Sequence, residues 1–191
     1  IKCIMKVVYC YLLGIVLGWA GYPVMMFLVS FFSINTMLTV YSVFVTVISA
    51  VVLYVAMHEM GENDRRPYKW SKYKGKGFVC STVGAVIVTL IGFFVIFIAN
   101  KAAYVQHPYF NIANINSYIK MIVYIPFFWF FELVKQGNRL IPDVTYLSAL
   151  VIVPFLSVVG GFGYLAGFMN VNIIKKEDGS DIVSKILYKD E

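Results

Sequence analysis

Four long stretches of this chain, Val7 to Phe32, Asn35 to Met57, Phe78 to Asn100 and Val144 to Asn170, contain no Asp, Glu, Lys or Arg. Each exceeds the roughly 20 residues that a helix needs to cross a hydrocarbon layer about 30 Å thick. A water-soluble fold of 191 residues could bury a sizeable core, but it could not hide four uninterrupted runs of this length. Composition agrees: 60% of the residues are hydrophobic and only 14% are charged, well outside the range of soluble domains. Lipid offers no partner to an exposed backbone amide, so the spans are expected to be helices. The expected fold is therefore all-α, a polytopic transmembrane helical bundle forming a single membrane domain over residues 1–191.

Charge orders the topology. Lys2 and Lys6 place the N-terminus in the cytoplasm by the positive-inside rule. Together with Gly18-Trp19-Ala20 they look like a secretory signal, but the apolar run continues to Phe32, far past a signal core of about 7–15 residues. An uncleaved first span is expected. A tight turn near Ser33 to Asn35 returns the second span, which delivers residues 58–77 to the cytoplasm. Six of the sixteen basic residues lie there, between Arg65 and Lys76. The third span leaves again, and Lys101 to Asn116 forms an outside loop.

Residues 117–134 are harder to place. The segment carries Lys120 near one end, Glu132 near the other and Pro126 at its centre, followed by the aromatic run Phe127 to Phe131. Aromatic clusters of this kind settle at the membrane interface. Four spans with this segment re-entrant or interfacial put twelve of the sixteen basic residues inside. Five spans put ten there. Four spans are the expectation and five the alternative, with the polar tail 171–191, opening on Lys175 and Lys176, cytoplasmic in the first case. Pro23 and Pro154 are expected to bend their helices.

Small and weakly polar residues mark faces for helix packing. In the second span Asn35, Thr39, Ser42, Thr46 and Ser49 follow steps of three and four, so they share one face. Thr82, Ala85, Thr89 and Gly92 do the same in the third. The first span holds Gly14 and Gly18, and the last Gly163 and Gly167, each pair in GxxxG spacing that lets helix backbones approach closely. These stripes read as bundle seams. Alternatively, the Thr and Ser face lines a polar path, or the glycines contact another subunit.

The interior offers little for chemistry. Coupled transporters and intramembrane hydrolases place an ionisable side chain within the bilayer, and the four runs carry no acidic or basic one. His58, Glu59 and Glu62 approach the HExxH zinc motif, but Glu62 stands where the second His belongs. A solvated helix end with Gly61 as its breaker explains them better. Cys3, Cys10 and Cys80 have neither a CxxC nor a Cys/His spacing, and their odd number argues against a disulfide framework. They are expected to pack as small hydrophobes. No cofactor or metal is expected. In the central loop, Arg65, Arg66, Lys69, Trp70, Lys72, Lys74 and Lys76 interleave bases with aromatics. Such a pattern suits anionic lipid headgroups or a cytoplasmic partner at a membrane face, rather than nucleic acid.

Two stretches carry a resemblance. One is the loop from Gly61, Asp64 and Arg65 to Tyr73-Lys74-Gly75-Lys76-Gly77. The other runs from Pro154 to Phe168 through Gly160, Gly161, Gly163 and Gly167, with Lys185-Ile186-Leu187-Tyr188-Lys189 near the end. Together they resemble small multi-span membrane proteins of clostridia-like Firmicutes. The resemblance implies a bacterial cytoplasmic membrane and an inside tail. That group has no assigned activity, so it carries no site residues across.

The functional expectation is a non-catalytic integral membrane protein, the subunit or scaffold of a larger membrane assembly that contacts other membrane subunits or itself. The alternatives are a transporter or channel component with a Thr/Ser-lined path, and a lipid-modifying enzyme built on His58, Glu59 and Glu62.

Overall fold

A computed structural model describes residues 2–23, 34–65, 74–103, 119–121, 123–134 and 144–169. The expected turn at Ser33 to Asn35, the loop 104–118 and the tail 171–191 lie wholly or in part outside those residues. Among the described residues the chain is helical throughout: α1 (Lys2–Ala20), α2 (Ile34–Arg65), α3 (Lys76–Ala103), a 3₁₀ turn (Ile125–Phe127), α4 (Phe128–Val134), α5 (Tyr146–Ala149) and α6 (Ile152–Met169). Helices α1, α2 and α3 and the stretch from α5 through α6 are each long and apolar enough to cross a membrane. The protein is an all-α, multi-pass membrane bundle.

The outer surface follows from lipid as solvent. Val16, Phe44, Leu90 and Phe94 are each 60% or more exposed, and large aliphatic and aromatic side chains cover the outside of every long helix. In water such a surface would drive aggregation. The interior is instead selected for close approach. Along the α2–α6 seam, a Cβ on Gly163 or Gly167 would run into the backbone of Tyr54 or His58. Along α1 and α2, Gly14 lies against Ser49, Gly18 against Val45, and Gly21 against Tyr41, whose hydroxyl donates to the Gly18 carbonyl.

These pairings set helix direction. From Gly14–Ser49 to Gly18–Val45 to Gly21–Tyr41 the numbering rises in α1 and falls in α2, so the two are antiparallel. Tyr54–Gly163 and His58–Gly167 rise together, so α2 and α6 are parallel. Gly77–Tyr164 and Ser81–Gly160 run oppositely, as does Phe93 against Tyr146, so α3 and α6 are antiparallel. The chain therefore leaves α3 and enters α5 at one end of the bundle, with the aromatic segment between them.

Two expectations about boundaries are corrected. Helix α2 does not stop at Met57, and Gly61 is not its breaker. The helix continues to Arg65, and Gly61 is buried against the Tyr164 carbonyl and the Phe168 amide of α6. Its missing Cβ serves helix contact rather than termination. The last span is also not one continuous helix. Pro154 has no N–H to offer Leu150, and Val153 donates to that carbonyl instead, at 3.1 Å, in a tight 3₁₀-type junction between α5 and α6. Thr145 caps α5 in a reciprocal arrangement with Ser148.

Candidate functional site

The most developed polar structure lies where α2 meets the aromatic segment. Pro126 interrupts that segment, and the chain turns through Ile125–Phe127 before α4 begins. A broken helix inside a membrane bundle frees backbone groups that lipid cannot satisfy. Here α2 supplies the partners. Ser42 Oγ donates to the Ile125 carbonyl at 2.8 Å and accepts from the Trp129 amide at 3.1 Å. Thr46 Oγ1 lies in hydrogen-bond contact with the carbonyls of Ser42 and Pro126 and accepts from the Trp129 indole Nε1 at 3.0 Å. Ser42 uses its one proton and a lone pair, whereas Thr46 shares its single proton between two carbonyls in a three-centre bond and offers a lone pair to the indole. Tyr11 adds a bond from α1 to the Val123 carbonyl at 3.0 Å.

Packing seals the same place. Gly18 faces the Ile125 side chain, and Gly92 faces the Tyr124 hydroxyl. Phe127 stacks on Tyr11 and meets Phe155 edge-on at 5.2 Å between ring centroids. What is left open beside Thr46 and Ser49, between Tyr11, Phe127 and Leu156, is a void of about 10 Å³, room for one water molecule.

The candidate residues distribute as follows. Ser42 and Thr46 are buried in the clamp, and Thr39 lies half-buried on the same helix. Ser49 points its hydroxyl at Gly14, and the Asn35 side chain lies outside the described residues. In α3, Thr89 is buried and donates to the Ala85 carbonyl at 2.9 Å, whereas Thr82 is on the exposed face and donates to Phe78. The buried hydroxyl at that level is Ser81, set against Gly160. Thus the stripes of α2 and α3 do not face each other. The α2 stripe meets the broken segment, a partner that spacing alone could not name.

A second polar group closes the opposite end of the bundle. Asp64, 3% exposed, accepts from Lys76 Nζ at 2.5 Å and from the Tyr164 hydroxyl at 3.0 Å, joining α2, α3 and α6. An acid in the last turn of α2 and a base at the first residue of α3 each oppose their own helix dipole. Paired, they offset each other. Sequence reasoning gave Asp64 and Tyr164 no role; the available signal was an acid standing directly before a basic stretch.

His58, Glu59 and Glu62 do not converge. His58 Nδ1 is 3.7 Å from Glu62, while Glu59 pairs with Lys6 of α1 at 2.7 Å. Among the described residues there is no group of three or more His, Cys, Asp or Glu side chains that could hold a metal. Of the candidate docking residues, Arg65 and Lys74 are exposed at the Asp64 end and Lys76 is drawn into the ion pair. Arg66, Lys69, Trp70 and Lys72 lie outside the described residues. No protein-family model, curated protein or solved structure matches the chain.

Proposed function

We propose that this protein is a non-catalytic subunit or scaffold of a larger assembly in a bacterial cytoplasmic membrane, with the end bearing Lys2, Arg65 and Lys74 in the cytoplasm. The observation that carries this reading is the fate of the α2 hydroxyls. Ser42 and Thr46 spend their hydrogen bonds on Ile125, Pro126 and Trp129, so the polar face most suited to a path is occupied by the protein's own backbone. A conducting route needs that face wet. A lipid-modifying site needs His58, Glu59 and Glu62 on one substrate, and Glu59 is committed to Lys6.

What remains available to partners is the outer apolar surface and the basic end. Each exposed Lys or Arg near an anionic leaflet contributes about 1 kcal/mol, which suits Arg65 and Lys74 to lipid headgroups or to an acidic partner at the membrane face. Mild-detergent extraction from the native membrane, followed by native mass determination and crosslinking, tests the proposal. The expected result is a particle heavier than one 21.7 kDa chain. A strictly monomeric particle that moves a solute across liposome walls on its own would overturn it in favour of transport.

A further inference from the structure

Helices α1 and α3 run side by side with an unusually close approach. A Cβ on Gly84 would lie 2.8 Å from the Val7 Cβ and 3.3 Å from the Ile4 carbonyl, so the two backbones nearly touch there. The pair one turn earlier on both helices is Cys3 and Cys80, four residues before Val7 and Gly84 respectively. A parallel pair keeps this register, so Cys3 and Cys80 are neighbours across the α1–α3 contact. Cys3 is 4% exposed, while Cys80 is partly exposed at the start of α3. Cys10, two turns along α1 from Cys3, faces the void beside Thr46 and Ser49 instead.

We propose that Cys3 and Cys80 form a reversible redox site, closed to a disulfide by exchange with a small-molecule disulfide. Disulfides need Cα atoms about 4.4–6.8 Å apart, and the Gly84 contact one turn away draws the two helices toward that range. Exposure sets the order of events. The Cys80 thiolate attacks the small disulfide, forming a mixed disulfide and expelling one thiolate. Cys3 then attacks the Cys80 sulfur, giving up its proton as it does so, and expels the second thiolate. Two S–H bonds and one S–S bond are exchanged for one protein S–S bond and two small thiols, with the two protein protons passing to the leaving thiolates. The bond staples α1 to the start of α3, beside the Asp64–Lys76 pair. If that end is cytoplasmic, where thiols are kept reduced, the staple reports oxidation instead of serving as a permanent brace.

The test uses the full chain in detergent, treated with oxidised glutathione, then alkylated and digested. The expected product is an intramolecular Cys3–Cys80 crosslinked peptide, with Cys10 alkylated and the change reversed by dithiothreitol. Cys3→Ala is expected to halt at glutathione attached to Cys80, and Cys10→Ala to change nothing. Three alkylatable thiols after treatment, a crosslink through Cys10, or only intermolecular crosslinks would each overturn the proposal. The unsubstituted protein alone decides among these outcomes, so a variant that folds poorly does not blunt the test.

Discussion

Removing the two clamp hydroxyls is the sharpest test of how the bundle holds its broken segment. Thr46→Val keeps the side-chain shape and deletes the contact with the Pro126 carbonyl and the acceptor for Trp129 Nε1. Ser42→Ala deletes the bond to Ile125 and the acceptor for the Trp129 amide. Interhelical hydrogen bonds in membranes average about 0.6 kcal/mol, which gives roughly 1.2 kcal/mol for each variant. The full desolvation cost of an orphaned buried group, about 1–3 kcal/mol, sets the ceiling. Ile125 stays below it because its carbonyl also accepts from the Phe128 amide. The expected loss is thus about 1–1.5 kcal/mol for each variant. The two effects should couple by about 0.5 kcal/mol or more, because both hydroxyls hold Trp129. Reversible unfolding in mixed micelles, followed by fluorescence with Trp129 as the sole tryptophan, reads both quantities. Losses below about 0.3 kcal/mol for both variants would refute the clamp, and with it the argument that the α2 face is closed to solutes.

Two further predictions probe the seams and the polar end. Gly163→Ala and Gly167→Ala should each destabilise the bundle by about 1–3 kcal/mol, the usual cost of overpacking, because the new methyl meets α2 backbone. For Gly21→Ala the nearest atoms belong to the Tyr41 side chain, which can move, so it should cost less in the same micelle unfolding assay. At the other end, Lys76→Met should destabilise more than Asp64→Asn. Methionine takes the paired positive charge away from a buried carboxylate, whereas asparagine keeps an acceptor for Tyr164 and leaves an ammonium that is 27% exposed and can reach water. Equal losses in the two variants would mean that the ion pair does not organise this end.

The helices were legible in the sequence because lipid imposes one rule over long stretches, and the absence of charge from Phe78 to Asn100 needs no partner to be read. GxxxG spacing likewise marks a face, since Gly163 and Gly167 lie one turn apart on any helix. What spacing cannot give is the partner. Gly61 has the local character of a helix terminator, yet the neighbouring α6 makes a Cβ there untenable while the helix runs on, so tertiary contact overrides local preference. The α2 hydroxyls show the same limit. Their shared face followed from steps of three and four, but their partner is a proline-broken turn whose own pattern fits neither a span nor a loop. Asp64 was invisible for a related reason: its burial depends on Tyr164, one hundred residues away.

Helix direction bears on topology in a way that counting charges could not. Charge alone favoured four spans over five by only two basic residues. The antiparallel relation of α3 and α6 adds an independent constraint, because a chain that leaves α3 and enters α5 at the same end cannot have crossed the bundle in between. Tyr124 to Phe127 lie level with Tyr11, Ser42 and Thr46, whereas Met121 and Phe128 pack together near Leu38 and Tyr22, close to the bundle end. The segment therefore dips toward the centre and returns. Lys2, Arg65, Lys74 and the end of α6 then share the opposite face. That face is the one proposed to be cytoplasmic on the positive-inside rule, and the proposal is open to a direct check. A reporter that is active only in the cytoplasm, fused after Met169, should be active; an inactive fusion alongside an active one in the 66–73 loop would break the parity on which the topology rests.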